Sequence, residues 1–177
     1  MSNTHYLEQY RSNRQITDPK FLKLVNNPVL FNLFLMTKLP SAFICGLSVK
    51  STTAEKCEIT VPYRWLNQNP FRSTYFAVLS MAAEMSTGML ALMATQDSKP
   101  SVSMLVTHLE ADFVKKATGL TTFTCTEGKA INECVERAVL TGENQSITTT
   151  SIGTSQNGEI EAKFKIEWSF KMRTLKQ

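Results

Sequence analysis

The residue best suited to chemistry is Glu84, the single acidic residue in the apolar stretch NPFRSTYFAVLSMAAEMSTGMLAL. This stretch predicts a mostly buried helix over residues 74–94. At about 100° per residue, Glu84 lies at the edge of the apolar face, where side chains small enough to admit a ligand or a second backbone flank it. Those small residues are Ala77, Gly88 and Ala91. If burial raises its pKa toward neutrality, Glu84 could act as a general base or as a nucleophile. A structural carboxylate that caps a loop or pairs with a basic residue is the alternative.

Further polar groups lie near the predicted start of this helix. The amide of Asn69 could orient a water or a carbonyl group, although Asn69-Pro70 by itself is an ordinary turn. The hydroxyl of Tyr75 could donate a hydrogen bond to a substrate, or it could belong to a core aromatic residue. The first N–H groups of a helix have no partner within it, so those near Phe76 or Ala77 could stabilise an oxyanion.

The spacing of the cysteines and histidines does not predict a binding site for a metal or for another cofactor. Cys45, Cys57, Cys125 and Cys134 form no C-x-x-C pair, and the chain has only 2 histidines. His108 lies in a predicted strand and is interpreted as a packed or surface histidine. The polar start MSNTHYLEQYRSNRQ lacks the apolar core of a secretory signal, so we expect a cytoplasmic protein with reduced thiols.

Length and charge narrow the class of protein. With 177 residues, 42% of them apolar, the chain can build the core of one domain. Its formal charge of +4 is scattered, and Lys115-Lys116 is the one adjacent basic pair, which argues against nucleic-acid binding. The longest apolar run is interrupted by polar residues and a proline before it reaches the roughly 20 residues of a membrane span. We therefore expect no transmembrane helix.

An N-terminal helical arm is predicted over residues 1–43. Asp18-Pro19 and Asn27-Pro28 each combine an N-cap with proline at the first helical position. Apolar residues at helical spacing follow both pairs. We expect the arm to pack on the main core. A membrane-surface helix is less favoured because the polar faces carry few basic residues.

Residues 44–177 have the pattern of strands around one long helix. Two strands are predicted within GLSVKSTTAEKCEITVPY, one in SVSMLVTHLEADF, one in GLTTFTCTE, and two on either side of a Gln-Asn-Gly turn at residues 156–158. GKAINECVER predicts a short helix or turn. The last strand alternates apolar residues from Ile160 to Met172 with polar ones, Glu161 among them, which should face solvent. The fold class is α+β, a curved antiparallel sheet of about six strands wrapped around the long helix.

The residues at the helix start resemble the hotdog-fold thioesterase superfamily, above all its 4-hydroxybenzoyl-CoA and phenylacetate-pathway thioesterases. Their pattern is an asparagine, a His-Gly-Gly at the helix start, and a helical Asp or Glu fifteen residues after the asparagine. Asn69 and Glu84 have this interval, since 84 minus 69 is 15. SVSMLVTHLEADFVKKATG is similar to the strand that follows, and the resemblance covers residues 44–173. Tyr75-Phe76-Ala77 replaces the His-Gly-Gly, as in an uncharacterised thioesterase-like branch.

The resemblance implies hydrolysis of the thioester of an acyl or aromatic group, with an acyl-CoA as partner. Glu84 would be the catalytic acid/base, Asn69 its partner, and Tyr75 the replacement for the family histidine. Substrate contacts would come from Phe76, Ala77, Ser101 and Ser103, and the candidates for binding the CoA phosphates are Arg72, Lys99, Lys115 and Lys116.

The same resemblance implies a homodimer or a dimer of dimers, in which the helix of one subunit faces strands of the other. One alternative is a non-catalytic dimer that binds an acyl chain or acyl-CoA. A dehydratase or hydratase of the same fold is less favoured, because neither histidine of the chain is near the helix start.

Overall fold

The computed structural model of the chain describes residues 19–96, 98 and 100–173. Three short helices come first, each with proline at its first position: α1 (Pro19–Val25), α2 (Pro28–Lys38) and α3 (Pro40–Ile44). Asn27 caps α2, since its Oδ1 accepts hydrogen bonds from the N–H groups of Val29 at 3.0 Å and Leu30 at 3.1 Å. Buried side chains of the first two helices hold the arm on the core, Phe21 and Val25 from α1 and Phe31 and Leu35 from α2.

The rest of the chain forms one six-stranded sheet with the strand order β1-β2-β4-β5-β6-β3, every neighbouring pair antiparallel. The strands are β1 (Ser48–Thr52), β2 (Cys57–Val61), β3 (Val102–Phe113), β4 (Thr121–Cys125), β5 (Gln145–Thr154) and β6 (Ile160–Met172). β1 and β3 are therefore the edge strands. The predicted turn at residues 156–158 joins β5 to β6, and Gly158 in it has a φ of 81°.

The long helix α4 (Phe76–Thr95) packs against strands β2 to β6. Among the described residues it is the one helix long and apolar enough for a membrane span, but it is mostly buried, as the core helix of a sheet protein is. The predicted helix over residues 74–94 agrees with it to within two residues at each end. An antiparallel sheet around one central helix is the predicted α+β architecture.

Two local predictions differ from the structure. The segment after β4, predicted as a short helix or turn, is a helix, α5 (Gly128–Thr141), which is longer than predicted. Glu161 is 4% exposed, not on the solvent face, because the chain after β3 folds over it: the N–H groups of Val114 and Lys115 donate to the Glu161 carbonyl. Its carboxylate accepts a hydrogen bond from Thr121 Oγ1 at 2.7 Å, and burial raises its pKa.

Candidate functional site

Glu84 lies in the middle of α4 with its side chain half-buried. Burial raises the pKa of its carboxyl above the ordinary value. Within the described part of the chain, no donor or cation within bonding distance offsets that burial. The alternative of a capping or ion-paired carboxylate therefore has no support from the residues around it.

The carboxylate of Glu84 lies next to Gly88 and the indole ring of Trp168. A Cβ atom added at Gly88 would lie 3.0 Å from Glu84 Oε1 and 3.2 Å from Cζ2 of Trp168. The indole of Trp168 is held in place because its Nε1 donates to Thr87 Oγ1 at 2.9 Å. The absence of a side chain at Gly88 thus lets the carboxylate of Glu84 lie close to the helix backbone and the indole ring.

The side of α4 that carries Glu84 is not covered by the chain's own sheet. Partly or largely exposed residues recur there at intervals of three or four: Phe76, Ala77, Ser80, Met81 and Glu84. Edge strand β3 continues this surface, because Phe113 packs on Phe76 with ring centroids 6.1 Å apart and Val106 pairs in register with Trp168. We call this surface the α4–β3 groove. Its β3 wall consists of Val106, Leu109, Ala111 and Phe113.

A cavity of about 510 Å³ opens at the start of α4. Its lining is mostly apolar, with two lysines at the rim: Asn69, Pro70, Phe71, Ser73, Thr74, Tyr75, Phe76, Leu79, Phe113, Val114, Lys115, Lys116 and Ala117. Glu84 does not line it. The helical rise of 1.5 Å per residue puts Glu84 about 12 Å along the axis from Phe76, so one chain does not bring the carboxylate and the cavity together.

Donors without a partner occur among the residues at and next to this cavity. Thr74 is only 3% exposed, and its buried hydroxyl has no hydrogen-bond partner among the described residues. The N–H groups of Val78 and Leu79 donate to the Tyr75 carbonyl, whereas those of Phe76 and Ala77 have no acceptor within the described ranges. Sequence reasoning missed Thr74, because only its burial without a partner distinguishes it from any other threonine.

Asn69 shapes the loop in front of α4. Its Oδ1 accepts hydrogen bonds from the N–H groups of Phe71 at 2.9 Å and Ser73 at 3.2 Å, and its Nδ2 donates to Ser73 Oγ at 3.1 Å. These bonds occupy the amide with the turn itself. Asn69 lines the cavity, but this chain alone does not bring it next to Glu84.

Tyr75 and Phe76 form the mouth of the cavity. Their rings pack edge to face with centroids 4.9 Å apart, and both side chains are about half exposed. Arg72 is exposed in the preceding loop, with a φ of 59°. At the rim, Lys115 pairs with Glu159 at 2.6 Å and Lys116 donates to the Phe71 carbonyl at 3.3 Å. Lys99 lies outside the described residues.

Ser101 and Ser103 lie at the far end of β3 from the cavity. Ser103 Oγ donates to the Lys171 carbonyl at 3.0 Å, and its register partner Lys171 is exposed while the next residue, Phe170, is buried. Ser103 therefore points to the sheet face opposite α4. Ser101 precedes the strand and is exposed. Neither serine reaches the cavity of its own chain.

Two of the buried cysteines, Cys57 and Cys125, offer no nucleophile. Burial raises the pKa of Cys57 and of Cys125 to about 12, so both stay protonated thiols near neutral pH. Across the described ranges no three metal-ligating side chains cluster. Glu84 and the donors at the start of α4 are thus the groups of this surface that could take part in a reaction.

One family model matches most of the chain. A family model described as a domain of unknown function, DUF4442, matches residues 28–169. None of the curated proteins matches the chain.

Solved structures share the fold at low sequence identity. A Pseudomonas aeruginosa protein described as a probable thioesterase superposes with a TM-score of 0.70 at 18% identity, covering 85% of this chain and 99% of its own. A Chlorobaculum tepidum protein of unknown function gives 0.68 at 16% identity, covering 82% and 97%. A thioesterase from Haemophilus influenzae gives 0.59 at 12%, covering 82% and 91%. The chain shares the fold of these structures, which is the hotdog fold that its sequence predicted.

Proposed function

The chain belongs to the family described as DUF4442, and on that premise we propose that it hydrolyses the thioester of an acyl or aromatic group, with an acyl-CoA as the leading substrate. The observation that carries the proposal is the carboxylate of Glu84. It is half-buried in a core helix, its pKa is raised, and no described residue pairs with it. A buried carboxylate without a partner lowers the stability of the fold. A role as catalytic base would explain why the chain has one.

Hydrolysis follows from two groups acting on one carbonyl. Glu84 takes a proton from water as the water oxygen attacks the carbonyl carbon. The N–H groups of Phe76 and Ala77, together with the Thr74 hydroxyl, donate to the oxyanion that forms. When the C–S bond breaks, the proton on Glu84 passes to the departing thiolate, and the products are a carboxylic acid and a thiol.

A homodimer would bring these two groups together. Glu84 and the N–H of Phe76 lie about 12 Å apart along one helix at 1.5 Å per residue, too far to act on one carbonyl. Two helices that run antiparallel across a two-fold axis would place Glu84 of one chain near the helix start of the other. The long edge strand β3, whose Leu109 and Phe113 are 43% and 49% exposed, is the element best suited to pair with a second copy.

Tyr75 and Asn69 have supporting roles in this proposal. Tyr75 stands at the mouth of the cavity, where its hydroxyl could reach the acyl group or the thioester. Asn69 holds the loop that positions Thr74 and the helix start. Arg72 and the rim residues Lys115 and Lys116 are proposed to face the phosphates of CoA.

A second function is favoured by one observation, the half-exposed rings of Tyr75 and Phe76 where related thioesterases have His-Gly-Gly. These rings extend the apolar mouth of the cavity. A hotdog dimer with this mouth could hold an acyl chain or acyl-CoA without hydrolysing it.

Thiol release from a panel of acyl-CoAs, short to long and aromatic, separates the two functions. The purified chain is compared with Glu84→Gln, which keeps the shape and removes the charge, and with Glu133→Gln on the exposed side of α5 as the matched control. Release by the chain and the control that is lost in Glu84→Gln supports hydrolysis. No release, with saturable acyl-CoA binding by calorimetry, supports the binding function. Equal release by Glu84→Gln would remove Glu84 from the mechanism.

A further inference from the structure

The outer side of α2 is apolar and uncovered. Phe31 and Leu35 point into the core, whereas Val29, Leu33 and Met36 on the opposite side are 75%, 53% and 50% exposed. Their spacing of four and three residues aligns them in one stripe. A helix that is apolar on all sides is normally buried on all sides. The stripe is therefore a surface that binding to something else would cover.

Exposed apolar residues also occur beyond α2. Ile44, at the end of α3, is 58% exposed, and the turn with Trp65 and Leu66 lies next to it, these two being 79% and 57% exposed. The turn is fixed there because Asn67 Nδ2 donates to the Cys45 carbonyl at 2.9 Å. We call this surface the arm face, made up of Val29, Leu33, Met36, Ile44, Trp65 and Leu66.

The segments that form the arm face carry basic residues and no acidic ones. No acidic residue occurs between Pro19 and Ala54 or between Ile59 and Ala83, although the chain has 15. The exposed basic residues of these segments include Lys20, Lys23, Lys38 and Arg64, whereas the exposed Lys50 pairs with Glu58 at 3.5 Å. A second copy seated on this face about a two-fold axis would bring like charges together. An anionic partner with an apolar interior fits both properties of the surface.

We propose that the arm face docks the protein on the surface of an anionic lipid membrane. Large apolar side chains, an exposed tryptophan and surrounding Lys and Arg are the features with which peripheral proteins enter the boundary between headgroups and acyl chains. The sequence of the arm disfavours a membrane-surface helix, because its own polar faces carry few basic residues. Folding adds Arg64 and the Trp65–Leu66 turn from another part of the chain. The inference does not depend on thioester hydrolysis.

Flotation of the full chain with vesicles tests the proposal. Phosphatidylcholine vesicles are compared with vesicles that also contain phosphatidylglycerol. The chain should float with the second kind and lose this association at high salt, because screening weakens attraction to a charged surface. Lys23→Gln with Lys38→Gln should weaken binding about 25-fold, since each basic residue near an anionic surface contributes about 1 kcal/mol, or about fivefold. Lys163→Gln with Lys171→Gln, also exposed, is the matched control and should bind as the unchanged chain does.

The apolar part of the face is tested separately. Leu33→Ser with Leu66→Ser should abolish flotation, whereas Leu105→Ser with Ile160→Ser, at exposed positions outside the arm face, should not. Circular dichroism checks that all variants are folded. Absence of flotation by the unchanged chain, or equal flotation by the arm-face and control variants, would overturn the proposal. A molar mass that falls in Leu33→Ser with Leu66→Ser, without vesicle binding by the unchanged chain, would assign the face to contacts between copies.

Discussion

The Nε1 atom of Trp168 donates a hydrogen bond to Thr87 Oγ1 at 2.9 Å, which joins β6 to α4 one turn from Glu84. This bond fixes the indole ring against Gly88, where any side chain would meet both the ring and the Glu84 carboxylate. The position of the one acidic residue of α4 thus depends on a tryptophan that lies far away in sequence, on the last strand.

Gly88→Ala should lower thioester hydrolysis at least tenfold. The added Cβ would be 3.0 Å from Glu84 Oε1, and the indole on the other side cannot retreat without losing its hydrogen bond. Stability should change by less than about 1 kcal/mol, because the helix propensity gained from alanine offsets the tight contact. Gly119→Ala, at a position with open space, is the control for thiol release and thermal unfolding. Unchanged turnover in Gly88→Ala would contradict a role for the Glu84 carboxylate.

The pKa of Glu84 predicts how activity depends on pH. A general base works in its ionised form, so kcat/KM should rise with pH through a pKa above the ordinary carboxyl value and then level off. Glu84→Gln should lose that rise together with the turnover. A pH profile of thiol release measures it, and a profile that is flat from acid to neutral pH would assign the proton transfer to another group.

The same pKa predicts a pH-dependent stability difference. Because the folded state holds this proton more tightly than the unfolded state does, the contribution of Glu84 is most favourable below the unfolded pKa and is lost as pH rises through the folded pKa. Glu84→Gln should therefore be more stable than the unchanged chain at neutral pH, and this advantage should shrink on acidification. Urea unfolding at several pH values measures the difference. An advantage that grew on acidification would show that Glu84 is stabilised in its charged form.

Thr74→Val should lower turnover without lowering the free energy of unfolding. Replacing a buried hydroxyl that has no partner by a methyl group of similar shape should leave the free energy of unfolding unchanged or raise it by about 1 kcal/mol. Turnover should fall about tenfold if the hydroxyl donates to the oxyanion. Thr121→Val is the contrasting control, because its hydroxyl bonds Glu161, and its loss should destabilise the fold by about 1–3 kcal/mol. Full activity of Thr74→Val would exclude its hydroxyl from the site.

Leu109→Lys should disrupt the proposed dimer. Leu109 lies on edge strand β3 on the side of α4 and is 43% exposed. A lysine there would bring two like charges close to the two-fold axis. Light scattering should give about twice 19.9 kDa for the unchanged chain and for Ile160→Lys, and a lower mass for Leu109→Lys. Loss of thiol release with the dimer would support a site shared between chains, whereas an active monomer would contradict it.

Much of the architecture was predictable because local pattern and tertiary environment agree. The proline-started helices of the arm, the strict alternation of β6 and the turn at Gly158 are specified by residues close in sequence. The length of α5 was underestimated. Its core-facing residues Ile131, Cys134, Val135 and Ala138 are spaced as in a helix, but charged and polar residues separate them, so the apolar pattern was weak.

The sequence by itself determined that Glu84 is the one carboxylate of a buried helix and that it follows Asn69 by the family interval. Only the tertiary structure decided which groups near it are unsatisfied, since a missing partner depends on every element that packs nearby. In the folded chain the Asn69 amide bonds its own loop, the Thr74 hydroxyl has no partner among the described residues, and Trp168 lies beside Gly88. Periodicity cannot anticipate the contact between Trp168 and Gly88, because it joins residues that are far apart in the chain.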